Sequence, residues 1–129
     1  MGNPQTFGEI QKVMKGYFDG LYHADTKALT KVFHPDARYV NMIEGDYMNK
    51  SLGAYFEMVD QRVPPASKGE PRNDCIHFIE FGGSQMAFVK ASMTMMKREY
   101  LDFLTLTKDE HGWRIMAKIF TYIAKPEAS

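Results

Sequence analysis

The stretch "YLDFLTLTKDEHGWRIMAKIFTY", residues 100–122, decides the fold. It holds two apolar runs around "KDEHG", a loop rich in turn residues, and so reads as a long antiparallel hairpin. Each run carries one ionisable residue among apolar neighbours, Asp102 in the first and Lys118 in the second. If Thr107 pairs with Trp113 across the loop, Asp102 falls directly opposite Lys118. Strand alternation then places Tyr100, Asp102, Leu104 and Leu106 on one face with Met116, Lys118, Phe120 and Tyr122. The other face carries Leu101, Phe103, Trp113, Ile115, Ala117 and Ile119. Both faces are apolar, so both are expected to be covered. Helices and a ligand cavity are assigned to the Asp102 face and a second subunit to the Trp113 face. A slip of one residue would separate the acid from the base.

Working outward, two further strands precede the hairpin. "DCIHFIEF" ends at Gly82-Gly83, and "QMAFVKASMTMM" runs to the charged turn "KRE". The first half of the chain is helical. "TFGE" at 6–9 has capping-box spacing and opens an apolar stripe at Phe7, Ile10, Met14, Tyr17 and Leu21. Asp25 can cap a shorter helix through Leu29, Val32 and Phe33, stopped by Pro35. "ARYVNMI" and "YMN" flank "EGD" as a short hairpin, and Ser51 caps a third helix, "LGAYFEMVDQR", closed by Pro64 and Pro65. Helices first and then an antiparallel meander indicate an α+β domain, a single one over residues 1–129.

Composition narrows the partners. Sixteen basic residues balance sixteen acidic ones with no long run of either sign, so nucleic acid and anionic membrane surfaces are excluded as expected partners. No stretch has the length of a membrane span and "MGNPQTFGEI" has no signal pattern, which makes a cytoplasmic protein the expectation. Cys75 is the single cysteine, and no Cys/His cluster has metal-ligand spacing, so neither a disulfide nor a metal or other cofactor is expected. Ten methionines point to an adaptable interior.

Four segments together, "YFDGLYHAD", "LTKVFHPDA", "AYFEMV" and "YLDFLTLTKDEHGWRIMAKIF", resemble the nuclear transport factor 2-like (NTF2-like) superfamily, and within it the putative lumazine-binding, SnoaL-like branch. The resemblance runs from about Ile10 to Tyr122. It implies a cone, with three N-terminal helices lining a strongly curved, mostly antiparallel sheet, a pocket at the open end, and homodimers formed through the outer face of the sheet. It leaves the chemistry open, because the same cone hosts isomerases, dehydratases, hydrolases and binders without activity.

Asp102 is the leading candidate for catalysis. In the ketosteroid isomerase relatives of that superfamily, a carboxyl group on a similar late strand donates to a developing oxyanion. The competing reading is an ion pair with Lys118 that fixes register; burial favours a proton-holding carboxyl and a close ammonium an inert anion, and with Lys118 expected opposite, contact and the pair are the expectation. Lys118 reads as partner of Asp102, anchor for an anionic ligand, or Schiff-base nucleophile, the last opposed by an adjacent carboxylate. His34 stands where the second helix ends. It either satisfies helix carbonyls or joins Tyr17 and Asp102 in proton transfer. His23, His77 and His111 are weaker candidates. Tyr39, Tyr55, Phe56, Tyr100, Phe120 and Tyr122, with Met116, form an expected aromatic and methionine wall around a small, mostly apolar molecule. "FGGS" is a turn rather than a phosphate loop, and residues 64–73 read as a mobile loop able to lid the cone. The function expected is binding of a small molecule, with proton-transfer enzymology of the isomerase, dehydratase or hydrolase kind, or alternatively a non-catalytic binding or dimerisation module.

Overall fold

The computed structural model describes residues 3–124. Its elements run α1 (Pro4–Tyr22), α2 (Thr26–Thr30), β1 (Phe33–Asn41), β2 (Met48–Ser51), α3 (Leu52–Asp60), a 3-10 turn (Pro65–Lys68), then β3 (Cys75–Phe81), β4 (Met86–Met95), β5 (Arg98–Asp109) and β6 (Gly112–Ala124). One curved six-stranded sheet has the order β2-β1-β6-β5-β4-β3, with β1 parallel to β6 and every other pair antiparallel. The three helices cover its inner face, as an α+β cone requires.

Local chemistry sets the helix ends. α1 starts three residues before the expected capping box, because Asn3 Oδ1 accepts the Thr6 N–H at 2.9 Å and Pro4 fills the first helical position. Asp25 caps α2 and Ser51 caps α3, both as read from the sequence. α2 is shorter than expected. It ends at Thr30, and Val32 and Phe33 turn into the sheet instead, where the Ile115 N–H donates to Val32 O at 2.8 Å. Pro35 therefore sits inside β1, at an irregularity between Phe33 and Arg38 where no N–H is needed for the ladder. Gly20 lets α1 and α2 approach, since a Cβ there would fall 2.6 Å from Leu29 Cδ2.

The last hairpin departs from the expected register in two places. Its turn is tighter: Asp109 faces Gly112, Lys108 faces Trp113, and Asp109 Oδ1 accepts the His111 N–H at 2.8 Å. Further along, Leu106 pairs with Ile115 but Thr105 with Ala117, so Met116 is an extra, unpaired residue, a β-bulge. The bulge reverses the alternation of β6. The tighter turn puts Trp113 and Ile115 on the helix side and the bulge brings Lys118 and Phe120 to the same side, and all four are buried. Their assignment to opposite faces is thereby corrected. Asp102 pairs with Phe120 and Lys118 with Leu104, which makes acid and base diagonal neighbours on one face rather than a direct pair. The outer face of the sheet carries a different set, with Phe78, Phe103, Ile119 and Ile123 exposed and Phe88 between Phe78 and Phe103.

Candidate functional site

α1 crosses the middle of the inner sheet face and delivers Tyr17 to β5. The Tyr17 hydroxyl donates to Asp102 Oδ2 at 2.5 Å, deep in the interior. Asp102 is 1% exposed, and its second oxygen, Oδ1, is buried with no hydrogen-bond partner among the described residues. An unsatisfied buried carboxyl oxygen costs about 1–3 kcal/mol or more, so a fold optimised for stability would avoid it.

Lys118, 4% exposed, projects from β6 into a box of rings. Its ammonium lies 5.1 Å from the ring centre of Tyr17, 5.5 Å from Tyr39, 5.4 Å from Tyr55 and 5.2 Å from Phe120. The Tyr55 hydroxyl, at 3.5 Å, is its one side-chain hydrogen-bond acceptor. β1 supplies Tyr39 and α3 supplies Tyr55, and their rings stack at 4.0 Å. Cation–π attraction of up to about 2 kcal/mol per desolvated ring offsets part of the cost of burying the ammonium. Asp102 and Lys118 form no direct ion pair, contrary to the register read from the sequence. Tyr17 stands between them, bonded to one and facing the other with its ring.

The phenols are held protonated. Burial raises Tyr17 well above the ordinary phenol range, and the Asp102 carboxyl adds to the effect. Burial also raises Tyr55, against the opposing influence of Arg62. Tyr39 is pushed up to about 12, burial outweighing the neighbouring Lys118. All three are therefore hydrogen-bond donors at neutral pH.

The structure brings together Tyr17, Asp102, Lys118, Tyr39, Tyr55 and Phe120 from the expected set. Phe56 packs edge-on to Phe33, one layer out, and Tyr100 lies beside Phe120 and Tyr122. Tyr122 points its hydroxyl to Asp46, and Arg98 stacks 4.1 Å over its ring. Two expected members are elsewhere. Met116 is displaced by being the bulge residue itself, and His34 lies on β1 with Nδ1 accepting the Asp36 N–H at 3.0 Å. His34 follows Phe33, whose side chain is the buried one, so strand alternation turns the imidazole away from Asp102. Arg62, 5.9 Å over the Tyr55 ring, was not foreseen, because a lone arginine after a helix carries no pattern.

The cluster is enclosed by its own side chains, Tyr17 and Tyr55 being fully buried. Open clefts lie outside it. One, of 690 Å³, runs between α1, α2 and the β5–β6 turn beside Trp113, and another, of 530 Å³, lies beyond α3 against the β4–β5 turn. Neither is lined by Tyr17, Asp102, Tyr55 or Lys118. The expected roomy, methionine-walled interior is thus packed: Met14, Met93 and Met95 are buried core, and Met86 is exposed. Among the described residues, no three His, Cys, Asp or Glu side chains converge on a possible metal position, and no helix is long and apolar enough to cross a membrane.

The protonated phenols give a signature in alkali. Unfolded tyrosines ionise from about pH 10, while the folded ones hold their protons. Below about pH 10 the three phenols therefore take nothing from stability, and above it each removes about 1.4 kcal/mol per pH unit until its folded pKa is reached. Urea unfolding between pH 9 and 11 should show the loss, to which the Asp46-bound Tyr122 adds, and Tyr39→Phe should make the slope shallower. An unchanged slope in that variant would contradict the burial assigned to the ring.

Comparison with known proteins agrees with this architecture. The family described as "Putative lumazine-binding" matches residues 5–121. The chain is 28% identical over 106 residues to a Cladobotryum sp protein named Aldolase FrzH, covering 81% of each. Among solved structures, an NTF2-like protein of unknown function from Shewanella baltica OS155 superimposes with a TM-score of 0.84 at 19% identity, over 97% of this chain and 99% of that one. Another from Silicibacter pomeroyi DSS-3 gives 0.79 at 20% identity, over 95% and 100%. The S. rosetta CaMKII hub gives 0.67 at 15% identity, over 90% and 95%. At these identities the solved structures speak for the fold alone. With the match spanning nearly all of the described residues, this chain belongs to the Putative lumazine-binding family and has the NTF2-like fold.

Proposed function

We propose that the protein is a small-molecule enzyme that makes and discharges an enolate at the Tyr17–Asp102–Lys118 cluster. The observation that carries this reading is the open Oδ1 of Asp102, buried and unpartnered beside a caged ammonium. Two ionisable groups kept in the core without pairing to each other are a poor device for stability and a suitable one for chemistry.

In this mechanism a carbonyl compound reaches Asp102 Oδ1 and the Lys118 ammonium alongside the Tyr17 ring that separates them. Asp102 Oδ1 takes the proton from the carbon next to the carbonyl. The electron pair moves onto the carbonyl oxygen, and Lys118, with a phenol of Tyr39 or Tyr55 donating, stabilises the negative charge there. Tyr17 holds Asp102 through Oδ2 and leaves Oδ1 for the substrate. Returning the proton elsewhere gives isomerisation; expelling a β-hydroxyl, which takes the proton from Asp102 and leaves as water, gives dehydration; adding the enolate to a second carbonyl, whose oxygen takes that proton, gives an aldol. The name of the Cladobotryum relative favours the last within this group. Aromatic walls suit a small, mostly apolar substrate. Its admission requires the Tyr39–Tyr55 stack to move.

A panel of small ketones and β-hydroxyketones in D2O, followed by proton NMR, tests the reading. Exchange of α-protons or cleavage should appear, and Asp102→Asn should slow it by about 10²–10⁴-fold. Borohydride added during turnover should leave Lys118 unmodified. A reduced adduct on Lys118 would replace the proposal with Schiff-base chemistry, and full activity in Asp102→Asn would remove the assigned base.

The exposed apolar face of the sheet favours assembly alongside this activity. Phe78, Phe103 and Ile119 on one broad surface are suited to a second copy of the chain. Light scattering should give a dimer, and Ile119→Lys with Phe103→Lys should give a monomer. A wild-type monomer at all concentrations would exclude the homodimer and the dimerisation-module alternative together.

A further inference from the structure

The 530 Å³ cleft beyond α3 has an unbalanced charge. Arg62, Lys68 and Lys97 line it, against one acid, Glu70. That acid is already committed, its Oε1 accepting the Met96 N–H at 3.1 Å. The remaining walls, Val63, Pro71 and Met96, are apolar.

Arg62 is the distinctive member. Its backbone is fixed where α3 ends, the Arg62 N–H donating to Val59 O at 3.0 Å. Its side chain is half-buried beside the Tyr55 phenol, yet among the described residues it makes no ion pair, unlike Arg72, which holds both Asp19 and Asp74. A half-buried guanidinium without a carboxylate partner keeps donors of its fork for a planar anion. Its position links the cleft to the interior: the guanidinium sits 5.9 Å over the ring of Tyr55, and the same ring is 5.4 Å from the Lys118 ammonium. Tyr55 is a shared wall between the two.

The opposite rim is pre-organised. Met96 and Lys97 both have positive φ, 54° and 62°, conformations that non-glycine residues hold only under constraint. The two-residue turn between paired Met95 and Arg98 imposes both, the Glu70 carboxylate accepts the Met96 N–H, and the Tyr22 hydroxyl donates to Glu70 O at 2.6 Å. The loop expected to be a mobile lid is therefore tied on both sides of the cleft.

We propose that this cleft is the anchoring site for the carboxylate of an organic acid with an apolar body, with Arg62 as the residue that selects the acid over its neutral analogue. Placement of the substrate's carbonyl end toward Tyr55 and Lys118 rests on the enolate reading above, while the anchoring does not.

Calorimetric titration of 2-naphthoate and of neutral 2-naphthamide tests it, using the wild-type protein, Arg62→Gln, Arg62→Lys and Asp102→Asn. The wild type should bind the acid at least ten-fold more tightly than the amide. Arg62→Gln should lose that preference while binding the amide as before, which shows that the variant is folded. Arg62→Lys should keep part of the preference. Asp102→Asn should bind naphthoate like the wild type even if it has lost activity, so a failure of the enolate reading is seen separately. Equal affinity for acid and amide, no binding of either, or an intact preference in Arg62→Gln would overturn the proposal.

Discussion

Met116 has no partner across the β5–β6 ladder, and the interior of the molecule follows from that one extra residue. With perfect alternation, burying Trp113 and Ile115 would leave Lys118 and Phe120 on the outer face. The bulge lets both pairs face the helices. Together with the tighter turn, it also sets the offset between Asp102 and Lys118, diagonal on the sheet instead of opposite. That offset leaves room for the Tyr17 ring between them and prevents the two groups from neutralising each other in a simple ion pair.

The consequence is a polar cluster that is only partly satisfied. Asp102 has one bond from Tyr17 and one empty oxygen, and Lys118 has one long bond and four rings. Desolvating a charge costs several kcal/mol, and cation–π contacts with one hydrogen bond recover only part of it. The surrounding core supplies the rest: Leu104, Leu106, Ile115, Phe33, Met14 and Ile10 are all buried around the cluster. The scaffold thus tolerates a strained polar centre because its apolar shell is complete. The same shell closes the centre off, so access depends on Tyr39 and Tyr55, the two rings brought in by β1 and α3.

Much of this was legible in the sequence, for physical reasons that differ by element. Alternation over residues 86–95 and 100–106 marks β4 and β5 because one face is buried and the other is not. Asp25 and Ser51 mark helix starts because their side chains compete for free N–H groups. Asp102 and Lys118 stand out as ionisable residues in apolar strands, and both are in the centre. The bulge was not legible, since an apolar run around Met116 fits either parity. The turn register was not legible either, and it moves Trp113 and Ile115 to the Asp102 face and ends the direct pairing of Asp102 with Lys118. His34 misled because Pro35 looked like a helix stop, whereas the chain had already entered β1. Tyr17 was readable as a core position of α1, but its bond to a residue 85 positions away needed the fold.

The central claim is that the Tyr17–Asp102–Lys118 cluster is kept for chemistry at the expense of stability. The most direct measurement is urea unfolding of the triple variant Tyr17→Phe, Asp102→Leu, Lys118→Met, which fills the same space with apolar groups. Replacing a buried ionic cluster in this way is neutral or stabilising, by about 1–4 kcal/mol in favourable cases. The account predicts an unfolding midpoint equal to or above that of the wild type. A loss of about 3 kcal/mol or more, of the size seen when a needed buried pair is broken, would show that the cluster holds the fold together and would contradict it.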